Sequence, residues 1–220
     1  IFMAHTDVVF PDTDPLPVVR DGNILRAPGV GDDTANLTAL LMAAKFVLQR
    51  GLVPREGGVL FVANSGEEGL GNLKGSRQLM ADYGKRTRQV ISFDGSTGGI
   101  INRAVGSRRY RVEIRTEGGH SYGDFGNRNA IAVMASLIDA LYAVKVPQGG
   151  RTTFNVGVIK GGTSVNTIAQ QAEMLYEFRS DCREDLEIME RHFQALIAAW
   201  QTKGVTVEVQ LVGERPTMGP

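Results

Sequence analysis

The chain has 220 residues, 42% of them hydrophobic and 22% charged, with as many Lys plus Arg as Asp plus Glu. That is the composition of an ordinary globular domain or pair of domains, and a net charge of zero excludes the basic excess that a nucleic-acid partner demands. Cys182 is the single cysteine, so an internal disulfide and a cysteine-based zinc site are excluded and a reducing, cytoplasmic compartment is expected. No apolar run approaches the roughly 20 residues of a membrane span.

In chain order, Ile1–Ala4 is an apolar run that reads as a buried strand and leads to His5-Thr6-Asp7. It looks like the inside of a strand, so residues are expected upstream. Residues 8–30 form a Pro- and Asp-rich loop with a small extended element. Gly29–Asp33 is a tight loop, followed by a helix over about Thr34–Arg50, with Leu37, Leu40, Leu41, Ala44, Val47 and Leu48 at helical spacing and Gly51 as the stop. Gly58–Ala63 predicts a second strand, Leu73–Tyr83 a helix, and Val90–Phe93 a third strand ending at Asp94. Strands alternating with helices predict a mostly parallel sheet. Asn36-Leu37-Thr38 matches a glycosylation sequon, which reads as chance without a secretory signal.

The rhythm then changes. Arg108–Arg115 alternates strictly, with Tyr110, Val112 and Ile114 on one side and arginines and Glu113 on the other, the mark of a strand with one wet face. A helix over about Asn127–Val144 carries Ile131, Met134, Ile138 and Leu141 inward. Two strands follow, at Phe154–Lys160 and Ala172–Arg179. An amphipathic helix over about Glu184–Lys203 directs Leu186, Met189, Phe193, Leu196 and Trp200 inward, and Val205–Leu211 alternates again. The order β-α-β-β-α-β is the ferredoxin-like split motif. The expected organisation is an α/β domain over residues 1–104, a ferredoxin-like domain over 105–214, and a return segment at 215–220.

The candidate chemistry lies at the strand ends of the first part: His5 and Asp7, then Glu67-Glu68, then Asp94, with Asp32-Asp33 on the Gly-rich loop that opens a helix. Ligands of open parallel sheets bind beyond the carboxyl ends of the strands, so these groups should converge. Singly each has an ordinary reading: His5 a packed histidine, Asp32 a helix cap, Glu67-Glu68 a solvated pair, Asp94 a turn residue. Together, so many carboxylates would raise one another's pKa values unless a pair of divalent metals neutralised them. Asp7, two residues from His5 and on the same side of the strand, would hydrogen-bond the second ring nitrogen. One glutamate of the pair would ligate metal and the other act as general base.

The motifs HTD (His5–Asp7), GVGDD (Gly29–Asp33), SGEE (Ser65–Glu68) and FDG (Phe93–Gly95), in this order and with the β-α-β-β-α-β segment after them, resemble the dinuclear-zinc exopeptidases and amidohydrolases, the family of tripeptidase T, carboxypeptidase G, aminoacylases and succinyl-diaminopimelate desuccinylase. The resemblance implies a partial catalytic domain followed by a lid and dimerisation domain. It implies two zinc ions, with cobalt or manganese as alternatives. It implies His5 and Asp94 on one metal, Glu68 on the second, Asp32 as bridge, Glu67 as general base and Asp7 orienting His5. In the lid, His120 of Gly118–Ser121 would reach a neighbouring subunit's site, and Asn166 and Arg179 would hold polar atoms and a carboxylate of the substrate; locally, His120 also reads as a turn residue and Arg179 as an exposed strand residue.

The implied reaction is zinc-dependent hydrolysis of an amide bond in small peptides by metal-bound hydroxide, or of N-acyl amino acids, in a homodimer formed through the lid. Two departures stand out: Thr34 occupies the position after the acidic pair where the family has Lys, and the family's final histidine ligand would come from a segment beyond this chain. Against the enzyme reading stand a dinucleotide site at Gly69-Leu70-Gly71 with Gly75, where Glu67 and Glu68 would repel a pyrophosphate, and a non-catalytic module that dimerises through the lid sheet edge.

Overall fold

The computed structural model describes residues 1–10, 17–96 and 98–218. By internal contacts the chain forms two compact units, Ile1–Ile100 and Ile101–Pro220. Residues 11–16 of the Pro- and Asp-rich loop and the last two residues of the 215–220 return segment lie outside the described residues.

In the first unit, β1 (Phe2–His5) is the middle strand of a three-stranded parallel sheet, flanked by β4 (Phe61–Asn64) and β5 (Ile91–Ser92). Phe2 stacks on Phe61 at a centroid separation of 5.8 Å and on Phe93 at 6.2 Å, so one ring from each strand end tightens the sheet. The second strand starts later than Gly58 and runs on to Asn64, because Leu60 reaches β1 only through its carbonyl, which accepts the Phe2 N–H.

Between β1 and β4 the chain makes a short antiparallel hairpin of β2 (Val19–Asp21) and β3 (Ile24–Arg26), the small extended element expected there. Gly22, with φ of +59°, takes its turn.

Helix α1 (Ala35–Gln49) follows. It ends where Leu52 N–H bonds the Val47 carbonyl and Gly51 N–H that of Leu48, with Gly51 at a φ of +63° that only glycine takes readily. Leu40 is buried and Leu37, Ala44 and Val47 half-buried, but Leu41 and Leu48 face solvent, so the inward stripe is narrower than the sequence pattern suggests. Helix α2 (Lys74–Tyr83) completes the unit.

The second unit is a four-stranded antiparallel sheet of β6 (Gly106–Thr116), β8 (Thr152–Gly161), β10 (Gln171–Ser180) and β11 (Val205–Arg215), in the order β11-β6-β10-β8, with helices α3 (Ala130–Tyr142) and α4 (Arg183–Trp200). This is the ferredoxin-like arrangement. A two-residue ribbon, β7 (Gly119–His120) with β9 (Thr167–Ile168), is added to it. Asn129 starts α3 by accepting the N–H groups of Ile131 and Ala132.

The core forms where Val112, Ile114, Met174, Phe178, Met134, Leu137, Leu141 and Phe193 are all fully buried. Phe193 of α4 stacks on Tyr110 at 4.5 Å and on Tyr176 at 5.4 Å. Helix α3 buries Ala130, Met134, Leu137 and Leu141, while Ile131 is exposed and Ile138 only packs at the margin. The stripe therefore runs one residue away from the expected Ile131 and Ile138, which the sequence cannot resolve because apolar residues flank the helix on both sides. The opposite sheet face is charged, and carries ion pairs Arg109–Glu177, Arg111–Glu173, Arg115–Glu113 and Arg179–Glu177.

Candidate metal centre

The site of the first unit grows from β1. His5, its last residue, is buried, and its main-chain N–H donates to Asp33 Oδ2 at 2.8 Å. Its Nδ1 lies 2.9 Å from the main-chain oxygen of Asp7, and its Nε2 lies 2.9 Å from Asp32 Oδ1. A carbonyl oxygen only accepts, so Nδ1 carries a proton and donates it. The hydrogen bond expected from the Asp7 side chain is thus made by the Asp7 backbone; the carboxylate stands 3.7 Å from Nδ1.

That carboxylate has another task. Its Oδ2 accepts the Glu68 N–H at 2.9 Å and its Oδ1 the Glu67 N–H at 3.3 Å. Burial pushes the Asp7 carboxyl up, but these N–H groups outweigh it and hold the group below the usual carboxylate range. Asp7 therefore pins the loop after β4, and with it both glutamates, to the end of β1.

Asp32 and Asp33 lie in the turn Val30–Thr34, both with non-helical backbone, and are joined by a cis peptide bond. Their side chains diverge in role. Asp33 is buried and structural, taking the His5 N–H and the Asn36 side-chain amide, whereas Asp32 is exposed toward His5. The sequence points to Asp32 and gives Asp33 no role beyond its position at the start of α1, three residues before an asparagine.

Gly75 lets α2 press on the glutamate loop. A Cβ there would collide with Asn64 Oδ1 and the Ser65 carbonyl oxygen, while its N–H donates to that carbonyl at 2.9 Å.

Among the described residues, two groups of metal-ligating atoms lie within 4.8 Å of one another: His5, Asp32 and Glu68, and His5, Glu67 and Asp94. His5 belongs to both. The donor set fits a cation. With Nδ1 protonated, neutral imidazole presents the lone pair of Nε2 to the carboxylate of Asp32, and only a positive centre between them makes that contact favourable. Burial pushes the His5 pKa down, but Asp33, the Asp7 carbonyl and Asp32 outweigh it and raise it above its ordinary value. Burial and the neighbouring charges of Asp32 and Glu67 raise Glu68, the mutual repulsion expected of carboxylates sharing a cleft.

In the second unit the sequence-predicted residues separate. His120 on β7 pairs with Thr167, and Ser121 N–H donates to the Asn166 carbonyl at 3.0 Å, so His120 and Asn166 lie side by side. His120 Nδ1 accepts the Tyr122 and Gly123 N–H groups at 3.3 and 3.2 Å, which leaves Nε2 as the ring's donor. The same ribbon borders an open groove of about 650 Å³ lined by Gly119, Lys160, Thr163, Thr167, Gln170 and Glu173. Arg179 lies elsewhere: from Gln171 to Arg179 the strand advances roughly 26 Å at about 3.3 Å per residue. Its guanidinium binds Glu177 through two hydrogen bonds of 2.9 and 3.1 Å.

A parallel sheet with acids and an imidazole at its strand ends, followed by a ferredoxin-like domain, defines the class of metal-dependent exopeptidases and amidohydrolases. The family described as Peptidase family M28 matches residues 1–125, more than half of the chain, and the chain belongs to it. The Peptidase dimerisation domain matches residues 102–204.

Among curated relatives, the Uncharacterized protein YqjE of Bacillus subtilis strain 168 is 29% identical over 88% of this chain and 52% of its own length. A protein named Probable carboxypeptidase from Trichophyton verrucosum strain HKI 0517 is 24% identical over 98% of this chain and 51% of its own. The chain thus spans about half the length of the curated relatives it matches. In fold it is similar to a tripeptidase from Staphylococcus aureus Mu50, at a TM-score of 0.68 and 21% identity over 96% of this chain and 57% of that one. It is also similar to the aminopeptidase PepT of Bacillus cereus ATCC 10987, at a TM-score of 0.60 and 23% identity over 96% and 57%. Among the described residues no helix is long and apolar enough to cross a membrane.

Proposed function

We propose that the protein of which this chain forms the metal-binding and lid portion hydrolyses an amide bond in small peptides with two zinc ions. The observation that carries the reading is the convergence of one imidazole and four carboxylates, in the overlapping sets His5–Asp32–Glu68 and His5–Glu67–Asp94, with the ligand atoms of each set within 4.8 Å of one another. Imidazole and carboxylates are the donors zinc takes. His5 and Asp94 would hold one ion and Glu68 the other, with Asp32 between them. A zinc pair, when bound, polarises a carbonyl and lowers the pKa of water.

The chain's own residues supply the rest. Asp7 fixes the Glu67-Glu68 loop, and its carbonyl sets the His5 ring. Glu67, held by its N–H at the edge of the cluster, would accept a proton from water and return it to the leaving amine. His120, with Nε2 as donor, and Asn166 beside it would bind polar atoms of a substrate, in this or a partner subunit, within a homodimer formed through the lid. Arg179 would serve a substrate carboxylate only after releasing Glu177.

The second reading is hydrolysis of N-acyl amino acids. It is favoured by a relative named Indole-3-acetyl-aspartic acid hydrolase from Enterobacter agglomerans, 30% identical over 42% of this chain. Both reactions use the same metal chemistry.

The test is zinc content after loading and desalting, for the chain and for Glu68→Ala. About two zinc per chain, falling in the variant, supports the reading. No zinc in either this chain or a longer one with the downstream segment overturns it. Cleavage of tripeptides against N-acetyl amino acids by the longer protein separates the two reactions. Sedimentation showing only monomer at high concentration would remove the lid homodimer.

A further inference from the structure

Asn36 is the second residue of α1, and nothing in the chemistry above uses it. Its Nδ2 donates to Asp33 Oδ1 at 2.7 Å and to the Gly95 carbonyl at 3.1 Å. Carboxylate and carbonyl oxygens both only accept, so the amide orientation is fixed and both of its hydrogens are used. One partner, Asp33, is buried, follows Asp32 in the chain and holds the His5 N–H. The other, Gly95, follows Asp94 beyond β5, with a φ of +61°. β5 itself is only two residues long, and Phe93 N–H to the Met3 carbonyl is its last backbone bond to β1. Beyond that bond, the Asn36 amide joins the Asp94 loop to the opposite side of the cluster.

We infer that Asn36 is a positioning residue: it ties the loop bearing Asp94 to the carboxylate beside Asp32 and so sets the spacing of these two acids about His5. The inference rests on the metal-site reading above. A donor pair is required, so a side chain of like size without N–H groups fails. Leucine matches asparagine in shape and favours a helix more strongly, so Asn36→Leu removes the donors without weakening α1.

Two measurements test this on the 220-residue chain. The first is deuterium uptake of residues 91–96 in the metal-free protein, which reads the loop without any metal. Asn36→Leu is expected to speed uptake there about tenfold and to leave β6 and β10 unchanged. The second is zinc titration by calorimetry, in which loss of an outer partner of a ligand costs roughly 10–100-fold in affinity; Asn36→Leu is expected within that range. Uptake equal to wild type overturns the positioning role whatever zinc does, and so does wild-type zinc affinity in the variant. Wild-type chain that binds no zinc while residues 91–96 still loosen would strike the metal reading and leave the tie itself standing. Should Asn36→Leu not fold, Asn36→Ser, which keeps one donor, is read by the same two measurements and should fall between the two.

Discussion

The carboxylate of Asp7 accepts the main-chain N–H of Glu68 at 2.9 Å, across sixty-one residues of chain. It reaches Glu67 in the same way, so one side chain ties the loop with the two glutamates to the end of β1. Asp7→Ala removes both acceptors. Zinc affinity should fall by roughly 10–100-fold, the usual cost of losing a group that orients ligands. Titration calorimetry reads it directly, and unchanged affinity would show that the loop holds its shape unaided.

Gly75→Ala tests the other support of that loop. The added methyl meets the main-chain oxygen of Ser65 and Oδ1 of the buried Asn64 side chain. Overpacking of this kind costs about 1–3 kcal/mol. Chemical denaturation should report that loss, accompanied by weaker zinc binding. A variant as stable as wild type would mean that α2 can back away.

Phe193→Ala should damage the lid core alone. The ring is fully buried and sandwiched by Tyr110 and Tyr176. Truncation of such a ring costs about 3–5 kcal/mol. The thermal midpoint of an isolated 101–218 segment, if that segment folds, and of the whole chain should both drop. A shift of under a degree or two would contradict the packing described.

Acid should loosen the lid through Glu190. Burial pushes its carboxyl up, but Gln194, the Tyr110 hydroxyl at 2.7 Å and the Arg108 guanidinium at 2.9 Å outweigh that and depress it below the ordinary glutamate value. A depressed folded pKa stabilises the fold above the unfolded value, and that stability is lost as pH falls through the folded one. Tyr110 keeps its proton, its pKa raised by burial and by Glu190. Glu190→Gln should therefore cost about 2 kcal/mol at neutral pH, in the range for hydrogen bonds to charged groups, and flatten the loss of stability below about pH 4.5. Denaturation midpoints from pH 3 to 7 give the comparison; parallel curves for the two proteins would refute the assignment.

The repetitive elements are legible because they obey periods. Strict alternation in Arg108–Arg115 follows from one wet sheet face, and the stripe Leu186, Met189, Phe193 from one buried helix face. The convergence of His5, Glu67, Glu68 and Asp94 is legible because parallel strands deliver their ends to one edge. The ribbon of Gly119–His120 with Thr167–Ile168 is not, since two residues a side carry no period and the pairing is held by main chain. Nor can sequence tell which oxygen of Asp7 meets His5. Carbonyl and carboxylate lie a few bonds apart, and the choice is made by the N–H groups of Glu67 and Glu68, which claim the side chain. Arg179 escapes for a similar reason: its fork is spent on Glu177, two residues away on the same strand face.

The strand order β4-β1-β5 places β1 between two strands that follow it in the chain. As a ribosome releases the chain, Phe2–His5 has no partner until Phe61–Asn64 has emerged, and no second partner until Ile91–Ser92 follows. An apolar strand with both edges bare is an aggregation hazard during that interval. The acids that would share a cation with His5 arrive on the same schedule: Asp32 and Glu68 complete one set just after the first partner strand, and Asp94 completes the other only after the second, so the sheet and the cluster of ligands close in the same two steps.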